Sequence, residues 1–289
     1  MGAMRVLFRL LAGVVGLTVG ALWLVRHFIP LATLADNNAV GGNYLQSFAS
    51  VYGVIVGFVI FVVWSQFNET RASVQREASD LADLFRVARG FEEPARAEAV
   101  ALMVEYCETV ATEEWAHMRC GLPSEKAAQL VERLGRMLVD YDPRTDRQCA
   151  LYAAALDRFN DVSDARTCRI ATSSARLPLP LWALLVGGGA VAAGSMLFFG
   201  LASFWSHAAM ASTLSGSLTF ILFVVWDLDN PFFGMWNLRP TPFVDALHVM
   251  RRDIAAGAGA GAAAAEVADR TPAADGERAS GAGAGAGHR

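Results

Sequence analysis

The sequence predicts an all-α integral membrane protein with four transmembrane helices and a helical cytosolic domain between the second and third. Three observations carry that fold class. Of 289 residues, 54% are hydrophobic and only 18% charged, and the mean hydropathy of +0.34 exceeds that of an ordinary soluble domain. Four stretches are free of charge: Leu10 to Val25, Asn37 to Asn68, Leu177 to Ser206 and Ala208 to Trp226. Between the second and third of these, apolar residues recur at helical spacing, and strand alternation is absent.

The last three stretches are long enough to cross about 30 Å of hydrocarbon at ~1.5 Å per residue. The first is shorter, but Arg9 and Arg26 at its ends can snorkel and widen its span to Val6 through Ile29. A cleaved signal peptide is its rival reading, with Arg5 and Arg9 ahead of the apolar run and small residues from Thr33 to Ala35. The run is long for that, and Arg26 and His27 would lie between it and the cut. An uncleaved anchor is therefore expected. All but Arg26 of the 24 basic residues fall on one side of the resulting topology, which places both termini and the middle segment in the cytoplasm of a multi-pass inner-membrane protein.

The divisions follow from these spans. Residues 1–43 hold the first transmembrane helix and an outer loop, 44–67 the second helix, 68–178 the cytosolic helical domain, and 179–228 the third and fourth helices. Residues 229–254 form a cytosolic exit segment, and 255–289 an Ala/Gly-rich tail with too little apolar surface to offset its ordering entropy, expected to be disordered.

Within the middle segment, no Gly or Pro falls between Ser65 and Ala88, so the second helix should run on as one rod carrying Val74, Ala78, Leu81 and Phe85. Gly90 ends it. Pro94 suits the first turn of the next helix, through Val100, Val104, Cys107, Ala111 and Met118 to Gly121. Ser124 should open a third helix through Leu130, Leu134 and Leu138, and Asp142 should cap a fourth through Leu151, Phe159 and Val162. The acidic pairs Glu92/Glu93 and Glu113/Glu114 read as solvated surface. Cys107, Cys120, Cys149 and Cys168 lack any CxxC spacing and read as small buried hydrophobes, with no metal assigned; only a reversed, periplasmic orientation would favour disulfides.

Catalytic motifs are missing: GxGxxG, GxxxxGK[ST], HExxH and GxSxG all fail to occur, so no catalytic residue, cofactor or enzyme activity is expected. Ser195 with His207 hints at an intramembrane hydrolase, but position 197 is Leu where a second flanking Gly is wanted. Small residues recur every four positions at Ala49, Gly53 and Gly57 and again at Ala208, Ser212 and Gly216, which suits close helix contacts within or between subunits. Ser212, Ser215 and Thr219 can bond back to their own helix. Gln46 and Ser50, one turn apart, are harder to satisfy, and a water-filled path would satisfy them. Asp227 and Asp229 stand at the membrane face as a candidate cation or ion-pair site, with capping or pairing to an arginine such as Arg176 favoured over a cation.

Several of these residues occur together in a known family. Ser50, Tyr52 and Gly53 through Trp64, Gln66, Phe67 and Glu69, the segment Arg71 to Arg86 with Glu77, Ala78 and Leu81, the approach Arg176 to Trp182, and the run Asp229, Pro231, Phe232 and Gly234 resemble the bacterial bestrophin-like family. The resemblance spans about Asn38 to Arg252. It implies kinship with bestrophins, pentameric ion channels with four membrane helices per subunit and a pore lined by the second helix. Laid on that motif, Gln46, Ser50 and Val54 fall at the neck of the pore, making them the expected pore-lining residues. Two of the three are polar where bestrophins have large apolar side chains, and Met235 to Arg239 replaces the acidic run of calcium-activated members, so calcium activation is not implied.

The expected function is thus an oligomeric, pentameric inner-membrane channel, with membrane lipid, small ions and further copies of itself as partners. The alternative is a membrane-anchored scaffold or sensor acting through its helical cytosolic domain. A net charge of −4 gives no counterion-release drive, and nucleic acid is not expected.

Overall fold

The computed structural model describes the backbone of residues 2–36, 38–120 and 122–269, and the side chains of these apart from 2–3 and 258–269. Among the described residues every regular element is helical. Helix α1 (Gly2–Phe28) leads through a short α2 (Leu31–Asp36) to α3 (Asn38–Ala88), one rod of 51 residues. With no helix breaker from Ser65 onward, the membrane-spanning half and the half beyond it remain a single body. There follow α4 (Ala95–Thr109), a π turn (Val110–Glu114), α5 (Trp115–Met118), α6 (Glu125–Asp140) and α7 (Asp146–Ser174). Two apolar helices, α8 (Leu179–Met196) and α9 (Phe204–Leu228), precede α10 (Thr241–Asp269).

Helices α1, α3, α8 and α9 are long and apolar enough to cross a membrane. Water is scarce in that region, so contacts rest on close packing and satisfied polar atoms. Helix α1 lies along α9, where Thr18 Oγ1 donates to Ser215 Oγ at 3.0 Å. Helix α3 packs on α8 and α9 through Tyr52, Val56, Val59 and Val63 against Leu185 and Val225. The Tyr52 hydroxyl donates to the Leu185 carbonyl at 2.6 Å, and the edge of its ring abuts Gly188, where a Cβ would collide with Cδ2 and Cε2.

The half of α3 beyond the membrane packs along α7, the most extensive helix pair among the described residues. Leu81 and Phe85 from α3, Met103 from α4, Leu134 and Leu138 from α6, and Val162 from α7 fill this second core, and α10 covers it with Phe243 and Met250. Ser124 caps α6, accepting from the Ala127 amide at 3.4 Å, as its position predicts. Helix α7 corrects the expected cap at Asp142. Its start is Thr145, which forms a reciprocal capping box with Gln148, satisfying two orphan donors where Asp142 would satisfy one.

Helix α4 buries Leu102, Met103, Tyr106 and Cys107, while the expected Val100 and Val104 stand at the margin of the core. Of the four cysteines, all free, only Cys107 is buried; Cys120 and Cys149 are exposed and Cys168 is half-buried, correcting their common reading as core residues. Helix α10 continues to Asp269 through the first part of the stretch expected to be disordered, in keeping with the helix propensity of its alanines. Residues 270–289 of that expected tail lie outside the described residues.

Candidate functional site

The membrane-spanning half of α3 has one packed face and one open face. Gln46, Ser50 and Val54, at i, i+4 and i+8, share the open one, with Val54 74% exposed. Ser50 Oγ donates to the Gln46 carbonyl at 2.8 Å and Ser47 Oγ to the Asn43 carbonyl at 2.9 Å, so both hydroxyls are satisfied inside their own helix. The Gln46 carboxamide makes no hydrogen bond among the described residues. Gly53 and Gly57 have open space where a Cβ would stand, so at these two positions the small-residue seam meets no other helix among the described residues. By contrast Ser215 and Thr219 on α9 bond to the carbonyls of Ser212 and Ser215, the structural role their spacing suggests.

At the other end of the membrane region, Asp227 and Asp229 are buried, 4% and 6% exposed. Asp227 accepts from the Met235 amide at 2.7 Å and the Trp236 amide at 3.0 Å, while Asp229 accepts from the Leu177 amide at 2.9 Å. The pairing offered for Arg176 does not form. That guanidinium donates to the carbonyls of Ser173 and Ala175 instead. Among the described residues, no group of three or more His, Cys, Asp or Glu is placed to hold a metal ion. The two acids thus brace the segment after α9, and Gly234, at φ +122°, allows the chain to fold back over Asp227.

A buried ionic cluster ties α3 to the rest of the outer bundle, and sequence reading missed it. Arg169 Nε donates to Glu77 Oε2 at 2.5 Å, and Arg169 Nη2 reaches Glu77 Oε1 and Glu114 Oε1, both at 3.0 Å. Arg166 Nη1 donates to both Glu114 oxygens at 2.9 Å, and the Tyr106 hydroxyl donates to Glu77 Oε1. Glu114, expected on the surface beside Glu113, is fully buried. Glu114 stands seven residues after Cys107 and four before Met118, on the buried stripe of this segment, while Glu113 faces Lys126 in solvent. Burial opposes the charge on Arg169, but Glu77 outweighs it and raises the guanidinium above its ordinary range. Glu92 and Glu93 are exposed as expected, with Glu93 held by Arg96 at 2.6 Å.

Ser195 and His207 do not form a nucleophilic pair. Ser195 Oγ donates to the Val191 carbonyl at 2.7 Å, whereas buried His207 engages the Met196 carbonyl through Nε2 at 2.8 Å.

The family model described as the Bestrophin-like domain matches residues 12–243. A crystal structure of a bacterial bestrophin homologue from Klebsiella pneumoniae is similar at a TM-score of 0.62 and 14% identity, covering 86% of this chain and 96% of that one. A point variant of that homologue is similar at a TM-score of 0.63 and 15% identity, covering 88% of this chain and 99% of the other. No curated protein matches. At such identity the likeness to the solved structures is one of fold.

Proposed function

The chain belongs to the Bestrophin-like family, and from that membership we propose that it is an oligomeric ion channel of the bacterial inner membrane, with both termini cytoplasmic and its path lined by α3. In this reading neighbouring copies turn the open face of α3 toward a shared axis, and Gln46, Ser50 and Val54 line the narrow part. The observation that supports it most is the division of α3 itself. Tyr52, Val56, Val59 and Val63 pack inward, while an amide, a hydroxyl and two glycines with open space share the unpacked side. A lone amide in hydrocarbon costs a few kcal/mol, on the order of 1–3 by protein data, and water along an axis removes that cost.

The purified protein in planar bilayers should pass current, and Gln46→Leu with Ser50→Leu should lower it by drying the neck. A pentameric preparation that carries no current would count against conduction. The second reading, an anchored scaffold acting through the outer bundle, predicts a monomer or dimer. Mass measurement in nanodiscs separates the two, because a ring-shaped path needs several subunits.

A further inference from the structure

Where Phe67 ends the apolar run of α3, the rod and the segment after α9 line an open cavity of about 710 Å³. Asn68, Arg71 and Gln75 stand on one face of α3 at i, i+3 and i+7. Asn237 and Arg239 come from the segment, and Thr241 begins α10 at the positive end of that helix's dipole. Neither Arg71 nor Arg239 has an ion-pair or hydrogen-bond partner among the described residues, and both are exposed. That separates them from Arg166 and Arg169, which are neutralised inside the bundle. Asp245 is the one carboxylate among the lining residues.

The rim has a second character. Trp236 meets Trp64 edge to face, with ring centroids 6.0 Å apart and planes at 75°. The two rings are 49% and 45% exposed. An indole pair half-way between apolar and wet surroundings, beside the last apolar turn of a membrane helix, marks the headgroup level of a bilayer. Two unpaired guanidiniums and three amide side chains beneath an aromatic rim suit a ligand with a phosphate at one end and hydrocarbon at the other. One acid facing two arginines is a poor set for a divalent cation.

We propose that this cavity binds the phosphate of an anionic membrane lipid. Arg71 and Arg239 hold the phosphate oxygens, Asn68, Gln75 and Asn237 bond the rest of the headgroup, and Phe67, Trp64 and Trp236 lie along the start of the acyl chains. Conduction is not required, so the proposal stands apart from the channel reading.

The full chain is reconstituted into phosphatidylcholine vesicles with a minority of phosphatidylglycerol, extracted, and examined by native mass spectrometry for retained lipid. The wild type retains phosphatidylglycerol above its share of the bilayer. Arg71→Gln with Arg239→Gln lowers that retention roughly twenty-five-fold, taking about fivefold per arginine near a membrane surface. Asp245→Asn raises it, a change of opposite sign that a folding defect cannot mimic. Equal retention by wild type and double variant overturns the proposal. So does an altered oligomer mass in the double variant, which would make the cavity a contact between copies. A lipid-depleted detergent sample titrated with inorganic phosphate shows no shift in melting temperature. A shift that the double variant abolishes would assign the site to free phosphate and overturn the lipid.

Discussion

Arg169 on α7 and Glu77 on α3 face each other inside the outer bundle with no exposed side-chain surface on either, Nε to Oε2 at 2.5 Å. Glu77 lies on the same unbroken rod as Gln46, so the position of the membrane helix and the packing of the bundle are fixed by one rigid body. Glu114 and Arg166 complete a set of two acids and two bases, and no charge in it is left uncompensated. Such a set is costly to bury and costlier to break.

Removing one member should therefore hurt more than removing a pair. Glu77→Gln leaves Arg169 with Glu114 alone and should destabilise the bundle by about 3 kcal/mol, a fall in melting temperature on the order of 10 °C. Glu77→Leu with Arg169→Leu keeps Glu114 paired to Arg166 and should cost less than the sum of the two single changes. Thermal unfolding in detergent gives the four corners of that cycle, and strict additivity would contradict the pairing.

Tyr52 and Gly188 make a second coupled pair within the membrane region. Tyr52→Phe loses the 2.6 Å bond to the Leu185 carbonyl and should cost about 1 kcal/mol. Gly188→Ala drives a methyl into a ring that this bond holds in place, so about 1–3 kcal/mol is expected. Tyr52→Leu with Gly188→Ala should recover part of the loss, measured as resistance to unfolding by denaturing detergent.

Gly234→Ala should loosen the segment after α9. Its φ of +122° disfavours any L side chain, and the added methyl would fall on the Asp227 carboxylate. The bonds from Asp227 to Met235 and Trp236 would then part. Faster amide exchange over 234–238, with α9 itself unchanged, is the expected readout.

The Cys107 thiol is pushed up to about 12, by burial first and then by Glu77. Between its ordinary value of 9.0 and that figure, the unfolded chain gives up the proton while the folded chain keeps it. The folded state then binds more protons, so stability is intact below about pH 9 and falls as pH rises toward 12. Tyr106, raised well above its ordinary range by burial and then by Glu77, acts in the same direction. Melting temperatures at pH 8 and pH 10.5 should show the fall, and Cys107→Ala should reduce it. At pH 8 an alkylating reagent should modify exposed Cys120 and Cys149 and spare Cys107.

Much of the architecture is written locally. Four charge-free runs specify four membrane helices because the cost of charge in hydrocarbon is decided residue by residue. The run from Ser65 to Ala88 holds no breaker, which is enough to specify the rod, and Ser124 is enough to start α6. The family motifs around Tyr52, Gln66 and Pro231 were equally legible, since they are short and in order. Other features depended on partners far along the chain. Asp229 finds the Leu177 amide, 52 residues away, rather than an arginine. Arg71 and Arg239 come to one cavity only because α10 folds back against α3. Glu114 falls on the buried stripe by its spacing from Cys107 and Met118, but that Arg166 and Arg169, 52 and 55 residues further on, neutralise it there is decided by packing. Helix and span formation rest on backbone propensity and transfer free energy, which act within a few turns. Which polar group meets which depends on the angle and depth at which those helices settle, and that is determined by the packed core as a whole.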